Sequence, residues 1–129
     1  MLKIFPDTNV LVSATFWQGS SYKLLFSSGI NGFTSNAILK EYRTVLKRDF
    51  DLSENEVDLR LKELLELLVV ISPRERLEVI KEDPEDDNVL EGAVEAKADF
   101  IVSYDRHLLK LKVFRNIKIV KPEEILSRL

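Results

Sequence analysis

The chain has 129 residues, 45% of them apolar and 32% charged, with only 4 Gly and 4 Pro. This is the make-up of one folded core and excludes a disordered or fibrous chain. The absence of Cys and the presence of a single His, His107, exclude disulfides, thiol nucleophiles and Cys-rich zinc sites. The formal charge of −3 is not that of a protein that holds nucleic acid by charge alone.

The start, from Met1 to Val12, has no apolar stretch of signal type, and no apolar run approaches the ~20 residues that span a bilayer. A cytoplasmic chain without membrane association is therefore expected, as one domain over residues 1–129.

Leu2 to Phe5 reads as a strand, ended by Pro6, that delivers Asp7 at its C-terminal end before the polar Thr8 and Asn9. Ser20 or Ser21 caps a short helix from Tyr22 to Ser28, and Gly29 terminates it. Phe33 and Thr34 suggest a very short strand. Ser35 or Asn36 then caps a helix to about Lys47, with Ile38, Leu39, Tyr42, Val45 and Leu46 as its apolar stripe and Glu41 on the stripe's edge.

Ser53 to Glu56 forms a capping box for a helix to about Leu68. Val57, Leu61, Leu64, Leu65 and Leu68 share one face, while Leu59 and Leu67 fall off it. A partner surface and a deeper burial both account for those two leucines. Val69–Ser72 and Leu77–Ile80 are strand-like runs, separated by Pro73 to Arg76. An acidic turn, Lys81 to Asn88, leads into a helix carrying Val89, Leu90, Ala93, Val94 and Ala96. Phe100 to Val102 is a buried-type strand, Arg106 to Leu111 a helix and Asn116 to Val120 a last strand. Pro122 opens the terminal helix. Strands alternating with helices predict an α/β fold, a three-layer α/β/α sandwich around a mainly parallel sheet.

In such a sheet the functional crevice lies outside the C-terminal strand ends. Asp7 and Asp105 both follow strands, Asp87 opens a helix, and Glu41 lies on the inner edge of another. Four carboxylates converging on one crevice repel one another unless a divalent cation neutralises them, and all-oxygen ligation suits Mg²⁺ or Mn²⁺. Each acid also has a plain structural reading: a turn residue for Asp7, a helix cap for Asp105, a helix-start acid for Asp87 and a solvent-facing helix residue for Glu41. His107 reads as a surface residue.

Ile4 to Leu11 around Asp7, Ser35 to Glu41, Asp87 opening Asn88 to Glu91, and Ala98 to Asp105 together resemble the PIN-domain family of metal-dependent nucleases. The resemblance spans nearly the whole chain. Asp83 to Asn88 and the ending Ile119 to Glu124 are similar to the prokaryotic branch of toxins of toxin–antitoxin modules, related to VapC. One departure is Pro6, where the family keeps an apolar strand residue.

The resemblance implies a Mg²⁺- or Mn²⁺-dependent ribonuclease that hydrolyses phosphodiester bonds in single-stranded RNA, held by Asp7, Glu41, Asp87 and Asp105 as catalytic metal ligands. Asp86 is the rival to Asp87, and Glu91 is a further or supporting ligand. Asn9 and Ser103 orient the carboxylates. It also implies a homodimer and a cognate antitoxin.

With four acids assigned to a cation, the remaining formal charge becomes slightly positive. Lys40, Arg43, Lys47 and Arg48, with Arg106, Lys110, Lys112 and Arg115, could rim the crevice for phosphates. The alternative is a PIN-like domain that binds RNA or a protein partner with little cleavage. An Asp-nucleophile phosphatase fits less well, because Asn9 stands where its second Asp belongs and Glu41 is left without a role. Neither a Gly-rich dinucleotide turn nor a P-loop is present.

Overall fold

The computed structural model describes all residues from 1 to 129. Its first strand, β1 (Leu2–Pro6), lies inside a six-stranded sheet with β2 (Ile30–Ser35), β3 (Leu68–Ile71), β4 (Phe100–Val102), β5 (Val113–Phe114) and β6 (Ile117–Val120). The strand order is β3-β2-β1-β4-β6-β5, and every pair is parallel except β5 with β6. Consecutive residues Ile4 and Phe5 of β1 are both fully buried, as are Ile101 and Val102 of β4. Side chains alternate faces along a strand, so both faces of the central sheet are covered.

Seven helices provide that cover: α1 (Thr8–Phe16), α2 (Ser20–Leu25), α3 (Asn36–Phe50), α4 (Glu54–Leu67), α5 (Asp87–Ala96), α6 (Arg106–Leu111) and α7 (Pro122–Leu126). Arg43 of α3 bonds Asp58 and Glu54 of α4, and Lys47 pairs with the same Glu54. No helix is long and apolar enough to cross a membrane.

The predicted alternation of strands and helices is the observed one, with three differences in the elements present; in addition α2 runs from Ser20 to Leu25, follows Gly19 without a side-chain cap and ends before Gly29. Thr8 to Phe16 is a helix that the sequence does not announce, because Val10, Leu11, Val12 and Ala14 are all buried and no polar face gives it a period. Leu77–Ile80 is not a strand, for reasons that bear on the site. Val113–Phe114 adds a short antiparallel edge strand. Pro6 does not disturb β1: its register with β2 ends at Ile4, so the missing N–H falls beyond that ladder. Leu59 is exposed, and Leu67 is partly buried against the core.

The chain crosses from β1 through β2 to β3 on one side, then returns to β4 and β6 on the other. The winding direction therefore reverses between β1 and β4, and a crevice opens outside their C-terminal ends.

Helix α5 lies across β1 so closely that a Cβ on Gly92 would fall 2.1 Å from Cζ of the fully buried Phe5. Gly92→Ala would gain about 1 kcal/mol of helix propensity at an ordinary position. Here it is expected to destabilise by roughly 1–3 kcal/mol, because ring or helix must move. Urea denaturation measures the sign.

Candidate metal centre

Asp7 and Asp105 are built alike, each as the cap of the helix that follows its strand. The Asp7 N–H donates to the Val102 carbonyl at 3.0 Å, which ties the end of β1 to the end of β4. Its Oδ1 accepts the Val10 N–H at 3.0 Å, and its Oδ2 accepts from the Ser103 hydroxyl. That hydroxyl, on a fully buried residue, also accepts the Asp105 N–H at 2.8 Å. Oδ1 of Asp105 in turn accepts the N–H groups of His107 and Leu108, at 2.8 and 3.1 Å. Caps satisfy orphan helix amides and set the carboxylate direction.

Around these two, Glu41 of α3, with Asp83, Glu85 and Asp86 of the acidic turn, lines a hollow of about 60 Å³ that Asn9 also borders. A short 3-10 helix, Pro84–Asp86, carries the turn. Asp83 caps it by accepting the Glu85 N–H at 3.2 Å.

Two residues expected in this hollow are placed elsewhere. Oδ1 of Asp87 accepts the N–H groups of Val79 and Ile80, both at 3.0 Å. Oε2 of Glu91 accepts the Leu77 N–H at 2.9 Å, while its Oε1 lies 3.8 Å from Arg76. One turn further, Oε1 of Glu95 accepts both the N–H and the Nε–H of Arg74, each at 3.1 Å.

Asp87, Glu91 and Glu95 stand four residues apart, so they share one face of α5. On that face they satisfy the amides of the segment from Arg74 to Ile80, which pairs with carboxylates in place of a strand. One residue earlier, Asp86 points into the hollow, because successive helical residues are turned by ~100°. Asp86 therefore occupies the place expected for Asp87.

The acids of the hollow carry raised pKa values. Asp7 is pushed up to about 6 from its usual 3.8 by burial and by the charge of Asp105, against the lowering bonds from Ser103 and Val10. Burial, then the charge of Glu85, raises Glu41. Asp86 is pushed up to about 8 by burial and by the charges of Asp105 and Asp83.

Oδ2 of Asp86 is buried without a donor. A water, a shared proton or a cation can satisfy it, and a hard divalent ion suits this set of oxygens.

Asp83, Glu85 and His107 were not expected at the site. The acidic run from Asp83 to Asp87 signals the first two, since one tight turn cannot direct every acid outward. His107 had no signal of its own. One ligand atom from each of Asp86, Asp105 and His107 lies within 4.8 Å of the others.

A carboxyl whose folded pKa is raised binds its proton more tightly in the native state than in the unfolded one. Stability of the metal-free protein should then fall as pH rises from about 4, through the Asp7 value of about 6, to the Asp86 value of about 8. Asp86→Asn is expected to flatten this slope and raise Tm at pH 8 by roughly 3 °C or more in EDTA. Thermal unfolding followed by circular dichroism between pH 5 and 8 checks both.

The profile of the PIN domain matches residues 3–107 of the chain. No curated protein matches it at a significant level. Among solved structures, it is similar to a chain of "Crystal structure of VapBC2 from Rickettsia felis bound to a DNA fragment from their promoter", with a TM-score of 0.65 and 16% identity. That match covers 92% of this chain and 97% of the other. At this identity the likeness is one of fold: a mainly parallel α/β sheet of the VapC type. With a profile match over most of its length and the acidic crevice at the β1–β4 switch point, the chain belongs to the PIN-domain family.

Proposed function

We propose that this protein is a Mg²⁺- or Mn²⁺-dependent endoribonuclease of single-stranded RNA, acting as the toxin of a toxin–antitoxin pair. The observation that carries this reading is the hollow in which Asp7, Glu41, Asp86 and Asp105 converge with a buried, donorless Asp86 oxygen. Family membership supplies the nuclease class.

Asp7, Asp86 and Asp105, with Glu41 opposite, would hold the ion. When bound, a divalent cation supplies a lowered water pKa and neutralises charge on the phosphate oxygens. The chain's own contribution is to fix the donors beforehand. Ser103 sets the angle of Asp7 relative to Asp105, the Val10 amide holds the second Asp7 oxygen, and the acidic turn presents Asp86. The raised pKa of Asp86 means that loading an ion at neutral pH displaces a proton.

Substrate reach is supported by a groove of about 380 Å³ that shares Glu41 and Glu85 with the hollow and is lined on α3 by Lys40, Thr44 and Arg48. Lys40 forms no ion pair, and Arg48 pairs only with its neighbour Asp49 on an exposed surface. Arg43 and Lys47 are engaged by Glu54 and Asp58 and brace α3 on α4 instead. Phosphates along the groove would meet Lys40 and Arg48, with the acids beyond them.

The similar chain was solved in a VapBC2 complex, which supports an antitoxin as partner here. A basic side chain of such a partner, set among the carboxylates, would replace the cation electrostatically. A homodimer is proposed on the exposed apolar residues Trp17, Phe26, Leu59 and Leu65. A cytoplasmic location belongs to the same reading.

Labelled single-stranded RNA is expected to be cut with Mn²⁺ or Mg²⁺ and spared with EDTA. Asp7→Asn and Asp86→Asn should each reduce cutting by at least about 100-fold. Asp87→Asn, whose amide oxygen still accepts from Val79 and Ile80, should keep it. Equal loss in Asp86→Asn and Asp87→Asn would reject this assignment. Metal binding with no cutting of any RNA would favour the binding-only reading.

Steady-state kinetics give a second check. Lys40→Ala and Arg48→Ala together should raise KM with kcat little changed and lower its salt dependence. Arg43→Ala should instead lower thermal stability and leave KM alone.

A further inference from the structure

We propose that His107 donates an imidazole nitrogen to the cation held by Asp86 and Asp105, and that this nitrogen makes the centre prefer Mn²⁺ over Mg²⁺. The inference rests on the metal-centre reading above and extends it to a residue that the carboxylate pattern does not contain.

Three observations support it. One ligand atom each of Asp86, Asp105 and His107 lies within 4.8 Å of the other two. Ligands on opposite sides of a small cation are about 4.2 Å apart, so a modest rotation of the partly exposed imidazole closes the gap. Nδ1 of His107 is buried, has no hydrogen-bond partner and stands 4.0 Å from Oδ1 of Asp105. Oδ2 of Asp86, which lines the hollow beside Asp105, is likewise buried without a donor, as is Oγ1 of Thr8 in the same lining. One ion held among the three side chains satisfies both the Asp86 oxygen and the His107 nitrogen.

The backbone fixes this relation. Asp105 caps α6 by accepting the His107 N–H at 2.8 Å, so the acid and the imidazole are held on one rigid helix start. Chemistry supplies the selectivity. Mg²⁺ is strongly oxygen-seeking and retains water, whereas Mn²⁺, a first-row transition ion, accepts an imidazole nitrogen more readily than Mg²⁺ does. A nitrogen in the donor set therefore favours Mn²⁺.

His107 is the only histidine of the chain, so an imidazole nitrogen coupled to a bound Mn²⁺ has one possible origin. The experiment uses the full-length protein without a histidine tag, loaded with less than one equivalent of Mn²⁺, and pulsed electron paramagnetic resonance. ¹⁴N modulation of imidazole type is expected, changed by ¹⁵N-histidine labelling and lost in His107→Phe. Calorimetry should show Mn²⁺ affinity falling about 10-fold or more in that variant while Mg²⁺ affinity changes little.

His107→Gln, which keeps a polar side chain but no imidazole, should behave the same way and covers a failure of the Phe variant to fold. Mn²⁺ binding that Asp86→Asn weakens, but without imidazole coupling and with unaltered affinity in both His107 variants, would overturn the role of His107 and leave the carboxylate centre standing. No Mn²⁺ binding by the wild-type chain would overturn both.

Discussion

The Ser103 hydroxyl joins the two halves of the site. It donates to Asp7 at the end of β1 and accepts the amide of Asp105 just beyond β4. Those strands lie on either side of the point where the winding of the sheet reverses, so one buried side chain couples two elements distant in sequence. Each carboxylate also serves as a helix cap, which locks its direction before any ligand arrives. The result is a preorganised pair of carboxylates, and the value of Asp7 is raised first by burial and then by the charge of Asp105. A cation is the natural relief, and the fold holds the donors in place without it.

That arrangement costs stability locally, and α5 helps to offset it. One face of the helix carries Asp87, Glu91 and Glu95, which together bind four main-chain amides of the segment leading to the acidic turn. Its inner face carries Gly92, which admits the ring of Phe5 and brings the helix down onto β1. The first device fixes where the turn begins and the second fixes how deep the helix sits. Asp86, between them, is presented to the hollow. Acids that look interchangeable in sequence thus divide between holding the chain and holding charge.

The basic residues divide in the same way. Four of them crowd along α3, yet Arg43 and Lys47 face α4 and meet its acids, while Lys40 and Arg48 face the groove that opens from the hollow. A net negative chain can therefore present cations where phosphates would arrive.

Much of this was legible from the sequence alone. Apolar runs ended by Asp7 and Asp105, the stripe of α3, the capping box of α4 and Pro122 at a helix start are local signals, because helix and strand periods and caps depend on near neighbours. They determined the α/β alternation and placed Asp7, Glu41 and Asp105 where the fold brings them together. Tertiary structure alone decided the rest. Thr8 to Phe16 is helical although buried nearly all round, so periodicity was silent. Leu77–Ile80 has strand-like residues but finds carboxylates, not a strand, beside it. Between Asp86 and Asp87 the difference is one residue of helical rotation, and its sense depends on how α5 docks on the sheet, which no neighbouring residue encodes. The nearness of His107 to Asp86 has the same origin: the two stand 21 residues apart in the chain, and only tertiary packing brings their ligand atoms within 4.8 Å.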